Sequence, residues 1–93
     1  MDIQHKQLDH KGEFFIERDN EKKAHMTYSM AGSDKMIIDH TEVADELRGQ
    51  GVGEKLVKRS VKYAREHDIK ILPLCAFANA VFKKTDSYND VLA

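Results

Sequence analysis

The sequence has no tryptophan, one proline and one cysteine, and its charge is almost balanced. A single cysteine excludes an internal disulfide framework and a zinc site built from several cysteines. Fifteen basic and sixteen acidic residues give a formal net charge of -1, which argues against the broad basic surface of a nucleic-acid-binding protein. We therefore expect no nucleic-acid partner and a reducing compartment such as the cytoplasm.

Long apolar runs are also missing. No window approaches the roughly 18 apolar residues of a membrane span, and residues 1–12 hold no apolar signal-peptide core. We therefore expect a cytoplasmic protein without a membrane partner. A length of 93 residues excludes a two-domain enzyme and a TIM barrel, so we expect one domain over residues 1–93, as a monomer or weak dimer.

The first half of the chain predicts strands separated by polar turns, at residues 3–8, 13–17, 23–31 and 36–43. Short links between consecutive strands imply an antiparallel meander. Apolar and polar residues alternate through the last of these strands, which sorts its side chains onto two faces. One face would carry Met36, Ile38, His40 and Glu42, and the other Ile37, Asp39, Thr41 and Val43.

The second half of the chain changes to a helical period. Residues 51–67 predict a long amphipathic helix, residues 69–74 a short buried strand, and residues 76–84 a second helix. A strand, helix and strand in one sheet favour parallel pairing through a right-handed crossover. Pro73 would restrict the pairing of the last strand or place it at an edge. The predicted fold is α+β, in the order ββββαβα, with a mixed and largely antiparallel sheet.

Three glycines at positions 49, 51 and 53 connect the fourth strand to the long helix. Glycine permits positive φ and a close approach of ligand to backbone, and the free amides of a helix start attract phosphate. Arg48 adds a fixed positive charge. The spacing matches neither a Walker loop nor a dinucleotide-binding fingerprint. Glycine spacing alone would also suit a tight strand-to-helix turn.

The segment Arg48-Gly49-Gln50-Gly51-Val52-Gly53 has the form R-x-x-G-x-G. In this order of strands and helices it resembles the acetyl-CoA pyrophosphate loop of the GCN5-related N-acetyltransferases, and the resemblance extends over about residues 23–84. It implies that the protein binds acetyl-CoA through the loop and the adjoining strand. The implied cofactor-binding residues are Thr41, Glu42, Val43, Arg48, Gly49, Gln50, Gly51, Val52, Gly53, Glu54 and Cys75.

Two positions after the fifth strand depart from the family pattern N-x-x-A-x-x-L-Y-x-K. Cys75 stands where an Asn usually contacts the cofactor, and Phe82 stands where a Tyr often protonates the departing thiolate. The chain is also expected to lack most of the N-terminal helical region that shapes the amine cleft in the family. Cys75 is a candidate catalytic thiol at a helix start, although lone cysteines are usually small buried residues.

His40 is the second candidate catalytic residue. Acetylation requires a neutral amine, and an imidazole titrates in the right range to act as general base. Because it would share a face with Met36 and Ile38, a hydrogen-bonded or edge-exposed structural histidine is the favoured alternative. His5, His10 and His67 show no ligand spacing with one another, so we expect no metal.

The resemblance implies an acetyl-CoA-binding N-acetyltransferase with a small or peptide amine as the unknown acceptor. The alternative function is a non-catalytic acyl-CoA binder or sensor, which the missing tyrosine favours.

Overall fold

The computed structural model describes residues 2–93, and it confirms the predicted order of elements. The strands are β1 (Gln4–Leu8), β2 (Lys11–Arg18), β3 (Glu21–Ala31), β4 (Lys35–Val43) and β5 (Lys70–Pro73). The helices are α1 (Val52–His67) and α2 (Ala76–Lys83), with 3-10 turns at Asp45–Leu47 and Asp86–Val91. Within residues 2–93, no helix is both long enough and apolar enough to cross a membrane.

The five strands form one sheet in the order β1-β2-β3-β4-β5. Neighbours are antiparallel up to β4, whereas β4 and β5 are parallel and are joined by α1, as predicted. Pro73 lies in the edge strand β5, which is four residues long. On its other side, β5 forms an isolated bridge from Ile71 to Leu92, and the amide of Ala93 donates a hydrogen bond of 2.8 Å to the Ile71 carbonyl.

Both helices pack against one face of the sheet. Val57 and Val61 of α1 join Phe14, Met26 and Ile38 of the sheet in one apolar cluster. This arrangement follows from the helical spacing of the α1 residues, which gives the helix a single apolar side. The opposite face of the sheet is outside this cluster, and we call it the outer face.

A β-bulge changes the course of β4. Thr27 of β3 pairs with His40, but the next residue, Tyr28, pairs with Ile38, so Asp39 is an extra residue in β4. An extra residue reverses the facing of every side chain beyond it. The predicted unbroken alternation is therefore wrong: Met36 and Ile38 are buried, as the sequence indicates, but His40 is exposed on the outer face.

A polar contact joins a histidine of β1 to a tyrosine of β3. The ring of His5 stacks on Phe14 at 4.3 Å between centroids, and its Nε2 shares a hydrogen bond of 2.6 Å with the Tyr28 hydroxyl. Burial raises the pKa of Tyr28 to about 12, so this hydroxyl keeps its proton. Gly12 on β2 leaves the space that the Tyr28 ring occupies.

Candidate functional site

The turn between β4 and α1 is built on left-handed glycines. Gly49 has φ 80° and Gly51 has φ 69°, and both values lie in the left-handed region that residues with a Cβ atom seldom adopt. A Cβ atom at either position would meet no other atom within 4 Å, so the space beside both glycines is open. The two glycines therefore serve the turn and also leave room for a ligand against its backbone.

Gly51 is the N-cap of α1 and has no side chain with which to cap the helix. The first helical hydrogen bond runs from the Lys55 amide to the Gly51 carbonyl at 3.0 Å. The amides before Lys55 point out of the helix end, where the helix dipole adds positive potential. This end of α1 is therefore suited to an anion such as phosphate.

A pocket of about 520 Å³ opens in front of this helix end. Its walls come from the end of β4, the connecting turn, the first turn of α1 and one residue of α2. The lining residues are Thr41, Val43, Leu47, Arg48, Gly49, Gly51, Val52, Gly53, Glu54 and Phe77. Eight of these ten were predicted from the sequence.

Leu47 and Phe77 are the lining residues that the sequence did not single out. The Phe77 ring lies over Gly53, where an added Cβ would be 2.6 Å from Cζ of that ring. Gly53 therefore makes room for Phe77 and not for a left-handed turn. The available signal was the aromatic side chain of Phe77 itself, in the first turn of the helix that follows β5.

Cys75 lies just beyond the pocket, at the start of α2. Its Sγ is 3.3 Å from the hydroxyl of Thr41, which lines the pocket, and it accepts a hydrogen bond of 3.3 Å from the Ala78 amide. The sulfur therefore caps α2 and is held at the end of the pocket. Phe82, at the position of the family tyrosine, is only 2% exposed and has no proton to donate.

The charged residues at the rim are partly paired. Arg48 Nε is 3.2 Å from the Asp45 carboxylate, but 71% of its side chain is exposed. Glu54 in the first turn of α1 pairs with Lys84 at 3.2 Å. Arg48 therefore remains free to turn towards an anionic ligand, and the Glu54 charge is balanced by Lys84.

Besides Cys75, three predicted site residues lie outside the pocket lining. His40 and Glu42 are on the outer face, where Glu42 pairs with His25 across the strands. Gln50 is exposed, and its Nε2 donates to the Glu46 carbonyl at 3.4 Å. The predicted roles of these side chains in binding and catalysis stay predictions.

Comparison with known proteins supports the resemblance. The family model described as GCN5-related N-acetyl-transferase matches residues 13–91. Protein NATD1 of Xenopus tropicalis is 30% identical over 62 residues, which are 67% of this chain and 57% of that protein. The chain thus spans little more than half the length of that relative.

Solved structures show the same fold. A GCN5-like candidate N-acetyltransferase from Staphylococcus aureus is 44% identical, with a TM-score of 0.75, over 97% of this chain and 87% of that chain. A predicted acetyltransferase from Clostridium acetobutylicum, solved with acetyl-CoA, is 22% identical, with a TM-score of 0.64, over 81% of this chain and 56% of that chain. The family match, the sheet and the glycine turn agree, and the chain belongs to the GCN5-related N-acetyltransferases.

Proposed function

We propose that this protein binds acetyl-CoA in the pocket at the start of α1 and transfers the acetyl group to a small or peptide amine. The open left-handed turn at Gly49 and Gly51 carries the proposal, because it faces unpaired amides towards an empty space. The backbone of residues 49–54 would hold the pyrophosphate, and Arg48 at the rim would add a charge-assisted hydrogen bond.

The end of β4 offers a place for the pantetheine arm. The last residue of β4 that pairs with β5 is Ile38, opposite Pro73, and β4 continues for five residues to Val43. The β5 chain turns away at this point, because the amides of Leu74 and Cys75 both donate to the Ile38 carbonyl. An extended amide-containing arm would add to the backbone of residues 41–43 as a further strand does. Glu42 would contribute through its backbone, since its side chain lies on the outer face.

Cys75 is the candidate nucleophile at the thioester end. Its sulfur would attack the acetyl carbonyl, the bond between that carbonyl and the CoA sulfur would break, and the thiol proton would pass to the departing CoA thiolate. Attack by the amine on the acetylated Cys75 would then form the amide and restore the thiol. The predicted role of His40 as general base is not needed for this sequence of steps.

The second candidate function is a non-catalytic acyl-CoA binder. Its supporting observation is the buried Phe82, which replaces the family's proton donor with a side chain that cannot donate. Both functions use the same pocket, so they differ only in what happens to the thioester.

The binding half of the proposal is tested by titrating the labelled protein with acetyl-CoA and following backbone amide shifts. Shifts should concentrate at residues 41–43 and 49–54. Gly51→Asp should abolish these shifts, because a side chain and a negative charge would occupy the open space in which the phosphate is proposed to bind. The matched control is Gly32→Asp, which has a similar φ of 72° in a turn away from the pocket. Equal affinity in both folded variants would mean that the glycine turn is only structural.

The catalytic half is tested by mass spectrometry after incubation with acetyl-CoA. Wild type should gain the mass of one acetyl group at Cys75, and Cys75→Ala should still bind but gain none. Thr41→Val removes the hydroxyl beside the sulfur and should slow the modification without preventing binding. Binding without any adduct, and without turnover of an amine panel, would select the binder over the enzyme.

A further inference from the structure

Three potential metal ligands meet on the outer face of β3 and β4. His25 Nε2 is 3.7 Å from Glu42 Oε1, and the rings of His25 and His40 lie 5.8 Å apart between centroids. One ligand atom from each of the three residues falls within 4.8 Å of the other two. Among residues 2–93, this is the one group of at least three His, Cys, Asp or Glu side chains with such spacing.

The β-bulge of β4 brings the three side chains together. His25 and Glu42 are direct cross-strand partners and therefore project from the same face. In a regular ladder without the bulge, Asp39 would pair with Thr27, and His40 would point to the opposite face, among the core residues. The hydroxyls of Thr27 and Ser29 both donate to the Asp39 carboxylate, which is thereby kept out of the cluster. The three ligands thus lie on two paired strands and not on a loop.

The composition of this set suits zinc. Two imidazoles and one carboxylate are typical ligands of Zn²⁺, with bonds of roughly 2.0–2.2 Å that place neighbouring ligand atoms about 3.3 Å apart in a tetrahedron. The observed separations are longer, so the ligand atoms must move closer together by small side-chain rotations. The Glu42 side chain has room to rotate, because 68% of it is exposed, whereas the His25 side chain is only 23% exposed.

The nearby lysines form ion pairs with other carboxylates and not with Glu42. Lys23 is bound between Glu21 and Glu46, at 3.1 Å and 2.9 Å, and Lys22 is bound to Glu13. The Glu42 carboxylate therefore faces His25 Nε2 at 3.7 Å and not a lysine, and an imidazole binds a metal ion through the lone pair of its neutral form.

We propose that His25, His40 and Glu42 bind one zinc ion on the outer face of the sheet, with the fourth position left to water or to a substrate atom. Three protein ligands and one open position are the arrangement of a catalytic rather than a structural zinc site. A zinc ion would take the lone pair that a general base needs, so this site and the predicted base role of His40 exclude each other. The proposal does not rest on acetyl-CoA binding, which concerns the opposite side of β4.

The test is a calorimetric titration of the full, metal-free chain with Zn²⁺ at neutral pH, together with imidazole nitrogen spectra. We expect one equivalent to bind, with shifts confined to His25 and His40. His25→Gln and His40→Gln should each weaken binding by at least about 100-fold, the upper range for losing even an outer-shell partner of a metal. Glu42→Gln should weaken it less, because the amide oxygen remains a neutral ligand.

Two controls separate this site from other zinc ligands. His10→Gln changes an exposed histidine in the turn between β1 and β2, and Cys75→Ala removes the free thiol. Both variants should bind zinc as wild type does, and all variants should keep the wild-type backbone amide spectrum. The absence of zinc binding, its persistence in the two ligand-histidine variants, or its loss in Cys75→Ala would each overturn the proposal.

Discussion

Replacement of Gly12 by alanine should destabilise the protein, although the same change in a strand normally helps. In a strand without steric conflict, alanine is favoured over glycine by about 0.5–1 kcal/mol. At Gly12, however, a Cβ atom would overlap Cζ and Oη of the Tyr28 ring and lie 2.8 Å from the Lys6 carbonyl oxygen. The Tyr28 ring is only 1% exposed, so it has no free space into which it can move.

The expected magnitude follows from these contacts. Overpacking a filled core costs about 1–3 kcal/mol. Displacement of Tyr28 also breaks its 2.6 Å hydrogen bond to His5, and a typical hydrogen bond contributes about 1 kcal/mol. After the entropic gain of alanine is subtracted, the net loss is about 2 kcal/mol. For a domain of this size, about 4–8 °C per kcal/mol corresponds to a fall in Tm of roughly 10 °C.

The assay is thermal unfolding followed by circular dichroism, with urea unfolding as a second measure. Gly32→Ala is the control, since Gly32 has φ 72° in an exposed turn and an added Cβ there comes no closer than 3.8 Å to another residue. That variant should lose only the cost of left-handed backbone, about 1 kcal/mol. If Gly12→Ala were as stable as wild type, the account of the packing around Tyr28 would be refuted.

Further predictions concern charge. Arg48→Ala should weaken acetyl-CoA binding about tenfold, or about 1.4 kcal/mol, by calorimetry, because the exposed guanidinium lies at the pocket rim; unchanged affinity would place Arg48 outside the site. Burial, followed by the charges of Arg59 and His67, lowers the pKa of His5 from 6.5. As the pH falls, this histidine is therefore protonated at a higher pH in the unfolded chain than in the folded chain. Stability should therefore fall as the pH drops below about 6.5, and His5→Gln should flatten the dependence of Tm on pH; an unchanged slope would contradict this cause. Arg65 binds Asp90 through two contacts of 2.9 Å, so Asp90→Ala should speed proteolysis within residues 86–91, and equal cleavage rates would show that other contacts hold the segment.

The elements of the fold were predictable because each rests on a local pattern. Val57 and Val61 recur at helical spacing, and the run of alternating residues in β3 leaves no competing assignment. The glycine loop was predictable for a similar reason, since closely spaced glycines before a helix permit left-handed backbone, and Gly49 and Gly51 adopt it. Only the boundaries of the elements shifted, by one or two residues at most ends.

The facing of β4 beyond Ile38 could not be predicted. Asp39 and His40 are both polar, so the sequence pattern accommodates one extra residue without placing an apolar side chain in solvent. A bulge depends on the partner strand, and its hydroxyls at Thr27 and Ser29 lie far away in sequence. The grouping of His25 with His40 was missed for the same reason, because cross-strand proximity leaves no regular spacing along the chain.

The bridge between Ile71 and Leu92, on the far side of β5, affects whether separate copies of the chain can pair edge to edge and aggregate. An exposed strand edge is a template on which another chain can extend the sheet, and such growth leads to aggregates. β5 presents only four residues, its last residue Pro73 has no amide hydrogen to offer, and the Ile71 carbonyl is already occupied by the Ala93 amide. The segment that carries Leu92 therefore shields this edge from sheet extension by a second molecule.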